Sequence, residues 1–302
     1  MTSASAPLPM TPARRAILAI GVPVALAVIG VGVAGWASGA ITGLARQVTY
    51  RVALSVPVKG GHTGVTAGDA DITLRSGTGD QVQVRGTLRG SLVRPAFSWQ
   101  STAAGLALHS HCRVPAGLCS LDYAITAPAR FPMTVTDSSG NMDARGFRGT
   151  VTLSDGSGDL GAADLAGTIR LDDGSGNIAA SRLAGGIRLD VGSGDIDASG
   201  LSGSIRFQDG SGNVAIDGLA ATDVSGRDGS GDITLTFTKV PDRVQVSDSS
   251  GNVTVVLPPG PTAYDVIASS SSGNTAVTVP RSSSSKHVIS VTSGSGDVTV
   301  TR

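Results

Sequence analysis

The sequence predicts an all-β fold, a single-stranded parallel β-helix (β-solenoid) with a right-handed coil, preceded by an N-terminal transmembrane helix. Three observations carry this prediction. A short phrase recurs as SSGN, GSGD, GSGN, GSGD, GSGN and GSGD, ending at Asn141, Asp159, Asn177, Asp195, Asn213 and Asp232; four steps are 18 residues and the fifth is 19. Apolar residues recur at the same period, with Leu171, Leu189 and Phe207 in one column, Ile169, Ile187 and Ile205 in another, and Leu165, Leu183, Leu201 and Leu219 in a third. Such a period is the mark of a solenoid, in which each turn of chain buries its inward face against the next. Composition agrees: 42 glycines and 3% aromatic residues suit many short strands joined by tight turns.

Residues 1–15 read as a cytoplasmic N-terminus and residues 16–41 as a transmembrane anchor. Ala16 to Ala45 carry no charge. The apolar run AILAIGVPVALAVIGVGVAGW spans about 20 residues, enough to cross a bilayer as a helix. Arg14 and Arg15 precede it, which keeps the N-terminus inside and sends the rest of the chain outward. The competing reading is a cleaved signal peptide, since WASGA around Ala40 offers small residues to a peptidase. The run exceeds the usual signal-peptide core of roughly 7–15 residues, which favours the anchor. Both readings export the same domain.

Residues 42–134 read as an irregular N-terminal β region that caps the solenoid. VTYRVALSVPV (Val48 to Val58) alternates apolar and other residues, the strand signal. ADITLRSGTGDQVQVRGTLRG (Ala70 to Gly90) reads as two strands around a glycine turn, with an early copy of the phrase at Gly77 to Asp80. Leu92 to Cys119 reads as loop and edge structure around Pro95, Trp99 and Pro115.

Residues 135–302 form the β-solenoid repeats. In the unit Asn177 to Gly194, Ile178 and Ala180 point one way, whereas Leu183, Ile187 and Leu189 fall on the opposite parity. The chain must therefore bend between Ala180 and Leu183, and again at GSG. Each strand pairs in parallel with its equivalent one turn later, and eight steps at about 4.8 Å give a rod of roughly 40 Å. Later phrases end at Asn252, Asn274 and Asp297, and these longer steps predict surface loops at the C-terminal end. Small inward residues such as Ala180 and Gly185 predict a narrow core closed by tight backbone stacking.

The glycines of the phrase permit a sharp corner at every rung, and the Asp or Asn that follows can bond neighbouring backbone. The alternative use of the phrase is calcium binding in the manner of a β-roll, for which Asp155, Asp173, Asp209, Asp228 and Asp248 supply an acidic column just before the glycines. G-S-G-D is not the G-G-x-G-x-D nonapeptide of such proteins. The alternation of Asn with Asp also argues against a calcium ladder: it removes like-charge repulsion between neighbouring rungs without a cation, and each Asn amide can donate to a carboxylate. A second column, Arg170, Arg188 and Arg206, faces outward and could hold an acidic polymer such as a teichoic or uronic acid chain. The plainer expectation, which we favour, is pairing with Asp172 and Asp190 on the same face, a routine surface arrangement of small energetic value.

The two cysteines, Cys112 and Cys119, read as a disulfide closing a small loop in an exported domain. A zinc or copper site using His109, His111 and Cys112 is the weaker alternative, because C-x6-C matches no common zinc pattern. The formal net charge is zero, leaving no chain-wide footprint for nucleic acid. No Ser-His-Asp grouping, H-E-x-x-H or phosphate loop occurs, so neither catalytic residues nor a cofactor is expected. A polysaccharide-active β-helix enzyme would need carboxylates gathered in a groove.

The run LDYAITAPARFPMTVTDSSGNMDARGFRGTVTLSDGSGDL (Leu121 to Leu160) resembles the opening of the bacterial "putative adhesin" β-solenoid family, also called toast-rack domains. The shared features are an extended strand with a proline, serial S-G-D/N phrases each followed by an apolar residue, and a later L-x-G. The resemblance covers about Leu121 to Arg302. It implies an exported or membrane-tethered solenoid and supplies no catalytic residues. The expected function is a non-enzymatic scaffold in the cell envelope that contacts a protein or cell-wall polymer, with the calcium-binding β-roll as the alternative.

Overall fold

A computed structural model describes residues 48–57, 63–90, 96–102, 105–111 and 119–302. The N-terminal third contains β1 (Val48–Pro57), β2 (Thr63–Thr66), β3 (Asp71–Gly77), β4 (Gln81–Gly90), β5 (Ala96–Thr102), β6 (Gly105–His111) and β7 (Cys119–Pro128). A regular series follows: β8 (Met133–Thr136), β9 (Met142–Arg145), β10 (Arg148–Asp155), β11 (Leu160–Ala163), β12 (Ala166–Asp173), β13 (Ile178–Ser181), β14 (Ala184–Val191), β15 (Ile196–Ser199) and β16 (Ser202–Asp209). The C-terminal part holds β17 (Val214–Asp228), β18 (Ile233–Phe237), β19 (Arg243–Asp248), β20 (Val253–Val256), β21 (Asp265–Ser272), β22 (Thr275–Val277), β23 (Val288–Ser295) and β24 (Val298–Thr301).

From β9 to β16 each rung contributes one short strand to a first sheet and one long strand to a second sheet that faces it. In the first sheet β9, β11, β13 and β15 stack in parallel, with Met142, Leu160, Ile178 and Ile196 in register. In the second, β8, β10, β12, β14 and β16 stack in parallel, with Leu153, Leu171, Leu189 and Phe207 in register. These columns are buried and meet between the sheets. The two bends expected from the parity switch are present. The one after β13 is left-handed at equivalent positions: glycine occupies it at Gly146, Gly200 and Gly218, whereas Asp164 (φ 56°) and Arg182 (φ 52°) take it in the remaining two rungs. Those two strained residues are neighbours, and Arg182 grips Asp164 through Nε–Oδ1 at 2.6 Å and Nη2–Oδ2 at 2.9 Å.

The core is filled by exchange of volume between rungs. Phe207 stands where earlier rungs carry Leu171 and Leu189, and the next rung answers with Gly226, where an added Cβ would lie 1.9 Å from Phe207 Cζ. The 19-residue step is absorbed nearby by a register shift between Gly203 and Ser204.

Chain order and spatial order part company at both ends. β3 pairs with β9 on one side and with β7 on the other, although β4 to β6 intervene in sequence. Parallel rungs thus begin at Thr63, well before residue 135, and the antiparallel pairs β1–β4, β4–β7 and β5–β6 lie outside them. At the C-terminal end β23 pairs with β19 and β21, and β24 pairs with β20 and β22. The last rung of the chain is therefore inserted between the two that precede it. The longer late steps predict surface loops; part of that length instead returns the chain to an inner slot. The segment before β23 also covers the start of β21, where Tyr264 N–H donates to Pro280 O and Ser282 N–H to Tyr264 O.

Gly226→Ala should cost about 1–3 kcal/mol by overpacking against the Phe207 ring. Adding Phe207→Leu should return most of that loss, which a double-mutant cycle on urea midpoints would read as a favourable coupling.

Candidate functional site

Three longitudinal features follow from stacking like positions. The first is the polar ladder at the end of the phrase. Each backbone N–H donates to the side-chain Oδ1 of the equivalent residue one rung away, from Asn141 to Asp71 (2.9 Å), through Asn213 to Asp195 (2.7 Å), to Asn274 on Asp297 (2.8 Å). The spatial sequence is Asp71, Asn141, Asp159, Asn177, Asp195, Asn213, Asp232, Asn252, Asp297, Asn274. Alternation is unbroken. In chain order Asn252 is followed by Asn274, and it is the inserted rung that places Asp297 between them. The Nδ2 groups of Asn177, Asn213, Asn252 and Asn274 also donate to the adjacent Asp, at 3.1 to 3.4 Å. Alternation therefore supplies amide donors to the carboxylates and keeps charges two rungs apart.

The second feature is the outward strip on the second sheet. Arg170 Nε meets Asp172 Oδ2 at 2.6 Å and its Nη2 meets Asp190 at 3.2 Å; Arg188 Nε meets Asp190 Oδ2 at 2.5 Å. These are the pairings expected on that face. Burial, followed by the nearby Asp190, holds the Asp172 carboxyl above the usual carboxylate range. Arg206 breaks the pattern: Gln208 stands two residues on, and among the described residues Arg206 makes no ion pair. Ser225 is beside Arg206 in the next rung and Arg227 is beside Gln208. Arg206 and Arg227 are both exposed. The strip is neutralised at Arg170 and Arg188 and ends in a small cationic patch.

The third feature is the acidic column at the end of the long strands. Asp155, Asp173, Asp209, Asp228 and Asp248 are buried, and Asp137 extends the column toward the N-terminal end. Each of the first five directs Oδ1 to a backbone N–H of its own corner, such as Ser175 N–H on Asp173 (3.0 Å) and Ser211 N–H on Asp209 (3.1 Å). Burial pushes Asp137 up to about 7 and Asp173 and Asp209 up to about 6. It raises Asp155, Asp228 and Asp248 as well.

Other candidate groups lie elsewhere. A shallow groove of about 270 Å³ on the first sheet runs over Gly161 and Ala179 and is bordered by Asp71, Asp143 and Asp159. Asp71 and Asp159 are engaged in the ladder, and Asp143 is gripped by both Nε and Nη2 of Arg145 at 3.0 Å. Of the proposed disulfide and metal residues, Cys112 and the side chains of Cys119 and His111 lie outside the described residues, as does the apolar segment 16–41. No group of three or more metal-ligating side chains occurs among the described residues.

Rungs of this kind, with a polar ladder on one corner and an ion-paired strip on one face, define a parallel β-solenoid repeat protein. Residues 64–301 match the model of the Toastrack DUF4097 family, and the chain belongs to that family. No curated protein matches the chain. Solved structures similar to it include a "putative adhesin" from Parabacteroides merdae ATCC 43184, at 12% identity and TM-score 0.46, with 83% of this chain and 96% of that chain covered. Another "putative adhesin", from Bacteroides fragilis NCTC 9343, has 12% identity and TM-score 0.38, covering 85% and 96%. A "putative cell adhesion protein" from Clostridium sporogenes ATCC 15579 has 12% identity and TM-score 0.24, covering 85% and 98%.

Asn177→Asp would stack three carboxylates on successive rungs, the new one between Asp159 and Asp195, and would remove the Nδ2 donor to Asp159. Stability at pH 7 should fall by about 1 kcal/mol, with the deficit shrinking at pH 4 or in high salt. Urea midpoints under the three conditions would read this.

Proposed function

We propose that this protein is a non-enzymatic scaffold of the cell envelope, tethered by the apolar segment 16–41, whose rod presents its outward strand faces for adhesion or interaction. Its favoured partner is an acidic cell-wall polymer or an acidic envelope protein. The observation that carries the reading is the state of the charges on the rod. The ladder, the Arg170–Arg188 strip and the groove carboxylates are committed to one another, whereas Arg206 and Arg227 are exposed, diagonal to each other on neighbouring rungs and without an ion pair among the described residues. Guanidinium forks on neighbouring rungs suit carboxylate or phosphate groups along an extended chain. Engagement of all three groove carboxylates supports a structural role for them over acid–base chemistry. Membership of the Toastrack family supports the scaffold reading, and the adhesin names of similar structures accord with it.

The test uses the full-length chain expressed with its N-terminal segment. It should fractionate with membranes, and its purified form should bind isolated cell-wall polyanion in a salt-sensitive manner. Arg206→Glu with Arg227→Glu should weaken that binding by tenfold or more without moving the melting temperature. Release of the full chain to the medium would remove the tether, and unchanged binding by the double variant would remove the patch.

A further inference from the structure

The acidic column holds a chemical problem that the polar ladder does not. In Asp155, Asp173, Asp209, Asp228 and Asp248, Oδ1 accepts a backbone N–H, but Oδ2 is buried with no hydrogen-bond partner. Asp137 repeats this with its oxygens exchanged, Oδ2 accepting from Ala70 N–H and Oδ1 orphaned. A buried ionised oxygen without a donor is costly, and here the cost recurs along the rod.

The five Oδ2 atoms share one kind of neighbourhood. A Cβ built on Gly158 would lie 2.8 Å from Asp155 Oδ2 and 2.0 Å from the carbonyl oxygen of Gly140 in the adjacent rung. The same pair, an aspartate Oδ2 and a glycine carbonyl oxygen, flanks that point at Gly176, Gly212, Gly231 and Gly251, with Oδ2 at 2.9 to 3.2 Å. Two acceptor oxygens therefore share each corner.

Two rungs show what the corner requires. Spatially the column continues from Asp248 to Ser293 and then to Ser270. Ser270 Oγ sits 3.0 Å from the corresponding Cβ position on Gly273, in the place of the carboxyl Oδ2, and donates at 2.7 Å to the Gly296 carbonyl oxygen. Ser293 Oγ likewise donates to Gly251 O at 3.0 Å. A carbonyl can only accept, so the serine proton must point at it. One further rung carries Val191, buried at this position between Asp173 and Asp209. A column that takes serine and valine interchangeably with aspartate is one that holds neutral groups.

We propose that the buried aspartates of this column are neutral acids, with Asp155, Asp173, Asp209, Asp228 and Asp248 each donating the carboxyl hydrogen to the glycine carbonyl of the adjacent rung, so that the solenoid is a pH-responsive rod, tightest in acid. The acid takes its proton from water, and deprotonation leaves two opposed acceptor oxygens in each corner. The charged groups around the column reinforce this. Asp69 and Asp155 face Asp137; Asp155 and Asp159 face Asp173; Asp195 and Asp228 face Asp209; Asp248 faces Asp228; Asp232 faces Asp248. All are acids, and among the described residues no cation pairs with a column carboxyl. The carboxyls are raised in the folded chain, so the stability they give is complete below the ordinary aspartate range and is lost as pH rises through about 6 to 7.

Thermal and urea unfolding of the full-length chain between pH 5 and pH 8 tests the proposal. The folding equilibrium should weaken about tenfold for each carboxyl near 6 over that interval. Asp173→Asn with Asp209→Asn places an N–H donor where each O–H stood; it should flatten the profile and raise the melting temperature at pH 8. The infrared carbonyl band of a protonated carboxyl should be present at pH 5, fade toward pH 8, and be smaller in the double variant. A wild-type profile that is flat or rises with pH would overturn the proposal, as would a double variant less stable than wild type at pH 8. Should the double variant fail to fold, the wild-type profile and its infrared band decide alone. Calcium chloride added at pH 8 is the remaining arm. Restoration of wild type, without effect on the double variant, would assign the orphan oxygens to a cation and sink the proton reading.

Discussion

In a parallel solenoid, like positions of successive rungs lie one strand spacing apart, about 4.8 Å, so every side chain must be compatible with its own equivalent above and below. Apolar residues meet this demand by stacking, as in the column Met142, Leu160, Ile178 and Ile196. Charged residues cannot repeat without a remedy, and three remedies are visible. At the corner the charge alternates with an amide; on the second sheet Arg170 and Arg188 interleave with Asp172 and Asp190; in the buried column burial favours the uncharged acid.

The same spacing governs the backbone. Where two rungs approach at a corner, a Cβ on Gly194 would fall 2.0 Å from the Gly176 carbonyl, so the phrase needs glycine for contact as well as for its φ of 142°. All 23 acidic residues of the chain are aspartate. In the ladder and the column the choice follows from reach: both return a carboxyl oxygen to backbone within a turn or one rung away, and an extra methylene would carry it past these partners.

Much of this was legible in the sequence because a period of 18 residues exposes columns directly. The rungs, both bends, the glycine corner, the reason for alternation and the Arg170–Asp172 and Arg188–Asp190 pairs could all be read from spacing and residue type. The order of the last rungs could not be read from spacing, which reports distance along the chain and not adjacency. Its signal lay in the ladder: Asn252 followed by Asn274 violates an alternation kept at every earlier step, and the inserted Asp297 repairs it. The N-terminal rungs were hidden for a similar reason, since β4 to β6 separate β3 from β7. The kinship of Ser293 and Ser270 with the aspartate column needed coordinates, because only the shared glycine carbonyl reveals it.

The inserted rung also separates the last strand in the sequence from the last strand of the rod. β24 is flanked by β20 on one side and β22 on the other. Fraying normally begins where a strand has a free edge; here that edge belongs to β21 and β22, an earlier detour of the chain, and β24 is clamped. β21 and β22 reach their final partners only when β23 and β24 lie between them and β19 and β20, so the coil is completed by a latch whose outer cover precedes it in the chain.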